Sequence, residues 1–237
     1  MRFDPFDEYL TYLTSISFKF LIQDTNYKAA SKRLHKRVLA FLVLEHQVTT
    51  TLEQADASTL LGSAAPFMAE FRSDLLSSLL IFEIGLYKAA NMSARSGLEN
   101  FFRVIAAQQG LDFRSVISVF DLIELTKQTP LRHQFIQYDQ QLSTLISKYA
   151  DLCKYVHSAG EEFLTLDRRL SEIPRWSSET GEAFVASLIQ LVQAAISIMI
   201  YLNISSFRAL RHDQRDVVLD ALPAGFKAKL VQDIGML

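Results

Sequence analysis

PFMAEFRSDLLSSLLIFEIGLYKAANMSARSGLENFFRVIAAQQG, residues 66–110, decides the fold. Apolar residues recur through it at steps of three and four, the spacing that lines one side of an α-helix. Pro66 suits a first helical position, where its missing N–H costs nothing, and Gly110 suits a left-handed C-cap. Forty-odd residues exceed the usual length of a globular helix, so a break or kink is expected, with Gly85, Gly97 and the segment Asn91-Met92-Ser93 as candidates.

The same grammar extends outward. Asp4-Pro5 and Thr129-Pro130 each set a capping oxygen before a helix-opening proline. The pattern predicts a helix over about 5–23, stopped near Asp24-Thr25-Asn26, and a second over about 27–48. A polar stretch from Thr49 to Ser63 follows, with one short helical turn at most. Beyond Gly110, Asp112 is expected to cap a helix over about 113–128, and the helix after Pro130 to reach about Ser158 and end at Gly160. Residues 161–177 read as irregular, 178–211 as one long helix, and two short helices flank Pro223.

Composition agrees. Eight glycines and five prolines in 237 residues are less than half the roughly 12% of an average chain. Leucine occurs 34 times and valine 12 times, which favours helix over strand. These values exclude collagen-like, disordered and disulfide-stapled classes and leave a mostly or wholly helical globular protein, for which the fold expected is an all-α, up-and-down helical bundle. We divide it into an N-terminal helical extension, 1–62, containing a helical pair, and a bundle with short C-terminal helices, 63–237.

The net charge of −2 gives no general pull toward nucleic acid or anionic membrane. A single cysteine, Cys153, excludes an internal disulfide, and the acidic start Met1-Arg2-Phe3-Asp4 lacks the features of a secretion signal. A cytoplasmic location is expected. The uncharged run 183–207 is long enough to span a bilayer. Against that, Ser187, Gln190, Gln193 and Ser197 recur along it as one polar stripe, so a buried or interface helix is expected rather than a membrane span.

No metal or cofactor is expected. His35, His46, His133, His157 and His212 are scattered without ligand spacing, and no glycine-rich phosphate loop occurs. Cys153 and His157 share a helix face at a spacing of four, either as a dyad or with Cys153 as a small packed residue. Asn91, Arg95 and Glu99 form a polar row at steps of four, and Arg95–Glu99 is equally an ordinary intrahelical ion pair. Lys154 and His157 share a face near a helix C-terminus, which favours the protonated imidazole. His157 is equally a packed terminal residue bonding a free carbonyl.

Two stretches together resemble the HEPN superfamily, helical-bundle proteins of prokaryotic defence and toxin–antitoxin systems. The first is Ala94-Arg95-Ser96-Gly97-Leu98-Glu99 with Arg103. The second is Tyr149, Leu152, Tyr155, Val156, His157 and Ser158. The resemblance covers roughly residues 70–205 and implies a metal-independent endoribonuclease whose site forms between two bundles of a dimer. It implies a histidine moving a proton at the ribose 2′-OH or the leaving oxygen, and an arginine steadying the phosphate. By it, His157 is the acid/base, Arg95 and Lys154 stabilise phosphorane charge, and Glu99 orients Arg95.

The chain departs from the family pattern in one respect. The ribonucleases carry an arginine four to six residues before the histidine, whereas Ala150, Asp151 and Leu152 lie upstream of His157. Either the site is rebuilt from Arg95 and His157, or cleavage is lost and the bundle binds. A basic patch of Lys28, Lys32, Arg33, Lys36 and Arg37 is a candidate nucleic-acid contact, with Lys32, Arg33, Lys36 and Arg37 foremost. Arg208, Arg211 and Arg215 form a second row. The expected partners are RNA and a second copy of the chain, or another protein in a defence complex. Two rival readings are a non-catalytic adaptor or regulatory subunit and a membrane-perturbing effector using 183–207.

Overall fold

A computed structural model describes residue 21 and residues 23–157 and 176–235, and among them helices are joined by turns with no strand. The expected helix over 5–23, the Asp4-Pro5 cap and the Gly160 stop lie outside the described residues.

Helix α1, Thr25–Glu53, begins where a stop was expected. Asp24 is its N-cap, its Oδ1 accepting from the backbone N–H groups of Asn26 at 2.8 Å and Tyr27 at 2.9 Å. The helix also outruns residue 48. Thr50 and Thr51 return their hydroxyls to the carbonyls of His46 and Gln47, which accommodates these β-branched polar residues in helical backbone. A 3₁₀ turn at Gly62–Ala64 then leads into α2, Ala65–Glu83.

The long periodic stretch breaks at Gly85, whose φ of 81° is left-handed, and resumes as α3, Tyr87–Gln108. Gly97 does not bend the chain. It permits close approach of α2 and α3, because a Cβ there would lie 3.1 Å from the Phe71 ring and 3.2 Å from Asp74 Cβ. Gly110 takes φ 71° after α3, as a C-cap glycine does.

Asp112 does not cap a helix. It accepts from the backbone N–H and the guanidinium of Arg114. Residues 111–118 stay irregular while Phe113 enters the core edge-on to Phe67, 5.4 Å between centroids. Helix α4, Val119–Thr126, starts only at Ser118, which accepts from Asp121 N–H. The expected helix after Pro130 is likewise divided into α5, Leu131–Gln134, and α6, Ile136–His157. Phe135 is extended between them, with its ring 5.0 Å from that of Tyr201.

The expected helix over 178–211 is also split. Helix α7, Ser178–Leu202, is capped by Ser177 and ends at Asn203, and α8 is Ile204–Ala209. Asn203 and Gln108 exchange amide hydrogen bonds of 2.9 and 3.1 Å, and this pairing holds Asn203 out of helical backbone. Helices α9, His212–Asp220, and α10, Ala224–Asp233, flank Pro223 as expected.

The packing is a helical bundle. Helix α3 lies antiparallel to α2, as the pairs Phe71–Phe101 and Ser78–Ala90 show, and α7 packs on α1 and α6. Two-thirds of the most apolar window of α7 (67%) is buried, so much of the length of a membrane span is used against neighbouring helices. Residues on both sides of position 62, among them Leu34, Phe41, Phe71, Phe101 and Val192, enter one buried cluster. The basic residues of α1 therefore sit on the same body as α3 and α6.

Candidate functional site

The α3–α6 contact carries the polar residues singled out above. Arg95 and Glu99 lie one turn apart on α3, and their side chains meet at 2.9 Å. Tyr149 of α6 closes a triangle: its hydroxyl accepts from Arg95 Nη2 at 3.2 Å and donates to Glu99 Oε1 at 3.0 Å. The Tyr149 ring also lies beneath the guanidinium, 5.5 Å from Arg95 Cζ, and edge-on to Phe102 at 6.0 Å. The aromatic core thus fixes the tyrosine that fixes the arginine.

Arg95 and Glu99 keep 27% and 23% of their side chains exposed, so a ligand from solvent can reach the triangle. Partial burial opposes the charge on Arg95. The hydrogen bonds of Tyr149 and Cys153 and the Glu99 charge outweigh it, holding the guanidinium above its ordinary range. Burial first, then Glu99 and Cys153, push the Tyr149 phenol up against the opposing bond from Arg95. At neutral pH it is an undissociated donor to Glu99. Cys153, one turn beyond Tyr149, is half-buried beside this group.

His157 is the last residue of α6, one turn beyond Cys153 and about 12 Å along the axis from Tyr149. Its side chain, and with it the Cys153–His157 dyad and the approach to Arg95, lies outside the described residues, as does Ser158. Lys154 pairs with Asp151 of its own helix, its Nζ 2.8 Å from Asp151 Oδ1. Asn91, next in the polar row, is buried.

The α1 residues form a separate group. Lys32 and Lys36 are exposed, Arg33 pairs with Glu182 of α7, and Arg37 donates to the Arg33 carbonyl at 3.2 Å. Among the described residues no three His, Cys, Asp or Glu side chains gather as metal ligands.

Sequence reasoning assigned no role to Tyr149 or Glu45. Glu45 of α1, 2% exposed, accepts from Thr49 at 2.7 Å and from Arg72 of α2 at 3.2 Å. The available signal was a carboxylate in the apolar register of Leu34, Val38, Phe41, Val48 and Leu52. Compared with known protein families, curated proteins and solved structures, the chain matches none.

Proposed function

We propose that the protein is a HEPN-like bundle of a prokaryotic defence or toxin system that binds RNA on the α3–α6 face and cleaves it without a metal ion. The Arg95–Glu99–Tyr149 triangle carries this reading: an accessible cation held from two helices, at positions of both motifs. Arg95 grips a phosphate oxygen through the exposed part of its guanidinium, Lys154 adds charge, and Glu99 with Tyr149 sets the guanidinium angle. His157 takes the 2′-OH proton as the 2′-oxygen attacks phosphorus, and a proton returns to the departing 5′-oxygen. A dimer completes the site. Purified His157→Ala that degrades RNA as fast as the parent overturns the catalytic role.

A second reading, the non-catalytic adaptor, is favoured by a different observation. Ile117, Phe120 and Ile136 are 94%, 70% and 73% exposed, while Arg95 and Lys154 each already hold a carboxylate of their own helix. That reading predicts no Arg95-dependent RNA binding at low salt, which a gel-shift titration of parent and Arg95→Ala decides.

A further inference from the structure

The polar stripe of α7 faces a specific feature. Gln190, Gln193 and Ser197 form one wall of an open groove of about 330 Å³, opposite Gln141 and Thr144 of α6. Pro223 and Phe226, at the start of α10, complete it. The volume lies at the small end of ligand pockets, and no charged side chain lines it. An anionic group would find no countercharge there.

The lining offers both donors and acceptors. Gln193 spends an amide N–H on the Ala221 carbonyl at 2.6 Å, which leaves its Oε1 as an acceptor. Ser197, 1% exposed, donates to the Gln193 carbonyl at 2.7 Å, and the more accessible Thr144 donates to the Gln140 carbonyl at 2.9 Å, so the Thr144 hydroxyl faces the groove with lone pairs alone. Donors come mainly from the Gln141 and Gln190 amides, which bond no other described residue. A fitting ligand is neutral, supplies N–H donors beside an acceptor, and offers a flat face to Phe226 and Pro223.

We propose that this groove binds a nucleobase, adenine foremost. The exocyclic amine of adenine supplies two N–H groups to the glutamine and threonine oxygens, and the adjacent ring nitrogen accepts from a glutamine amide, the paired contact that glutamine makes with adenine in nucleic-acid complexes. The purine plane stacks on apolar side chains as extruded bases do. The site is distinct from the Arg95 face and stands without the ribonuclease reading.

Adenosine, inosine and glucose, none of which carries a phosphate, are titrated into the full-length protein by calorimetry and saturation-transfer NMR. The expected result is saturable adenosine binding with Kd at or below about 1 mM, and inosine, which has a carbonyl in place of the amine, at least about tenfold weaker. Gln190→Met and Gln141→Met, near-isosteric changes at the groove surface, weaken adenosine about tenfold with unchanged Tm, and Arg95→Ala leaves it intact. Absence of saturable adenosine binding, equal binding of glucose, or indifference to both glutamine variants overturns the proposal. So does loss of adenosine binding in Arg95→Ala, which would place the nucleoside on the other face. RNA binding that depends on Arg95 but comes without adenosine binding removes the groove proposal alone.

Discussion

Tyr149 reaches across from α6 to place its hydroxyl 3.0 Å from Glu99 of α3, and this bond joins the two helices at the one point where Arg95 also meets both. Tyr149→Phe keeps the ring under Arg95 and removes both hydrogen bonds. The expected cost is about 1–2 kcal/mol in urea unfolding, because the phenol is partly solvated, with a several-fold loss of RNA affinity. An unchanged urea midpoint and unchanged affinity would contradict the role given to the hydroxyl.

Alkali gives a second test. Burial raises the phenols of Tyr27, Tyr138, Tyr149 and Tyr201, and bonds to Glu83, Glu99 and Asp233 reinforce it at Tyr27, Tyr149 and Tyr201. A folded-state value above the unfolded one means that the folded protein holds the proton longer. The stabilisation is therefore complete below the unfolded value of about 10 and drains away as the pH rises beyond it. Urea midpoints should be flat from pH 8 to 9.5 and fall steeply above about 10. The fall should be shallower in Tyr149→Phe or Tyr201→Phe. A midpoint that holds steady at pH 11 contradicts this.

Three glycines should respond with different signs. Gly85→Ala forces a left-handed residue and should cost about 1–2 kcal/mol. Gly97→Ala gains helix propensity of about 1 kcal/mol. Its Cβ presses on Phe71, however, which is stacked on Phe101 and held edge-on by Phe41, so a net loss of about 1 kcal/mol is expected. Gly225→Ala, in α10 with nothing within 4 Å of the new Cβ, should stabilise by a few tenths to about 1 kcal/mol. Thermal melts of the three variants check the order.

Removing Arg72 alone from the Arg72–Glu45 pair should cost more than removing Arg72 and neutralising Glu45 together. Arg72→Met leaves a carboxylate 2% exposed with Thr49 as its remaining partner among the described residues. The expected loss is about 2 kcal/mol, and Glu45→Gln added to Arg72→Met should recover part of it. A strictly additive double-mutant cycle would contradict the coupling.

Local chemistry made much of this fold legible. Pro66, Gly85, Gly110 and the pair of helices around Pro223 act through their own backbone, so a reader of the chain finds them. The missed boundaries depend on distant residues. Asn203 ends α7 because Gln108, 95 positions away, takes its amide, and Phe135 interrupts the α5–α6 run with its ring against Tyr201. Asp112 reads as a helix cap and Asp24 as part of a stop, yet neighbouring donors gave Asp24 the helix to start and left Asp112 with Arg114. At the candidate site, the Arg95–Glu99 spacing was readable from one helix. Tyr149 needed the α3–α6 packing to acquire its partner, and Glu45 needed the α1–α2 contact.

RNA cleavage in the presence of EDTA tests the central claim most directly. Full-length protein and His157→Ala, matched for helicity by circular dichroism, are incubated with single-stranded RNA at neutral pH. Cleavage by the parent that falls about 100-fold or more in the variant is the predicted result. Equal rates in the two proteins, or no cleavage by either, would contradict it.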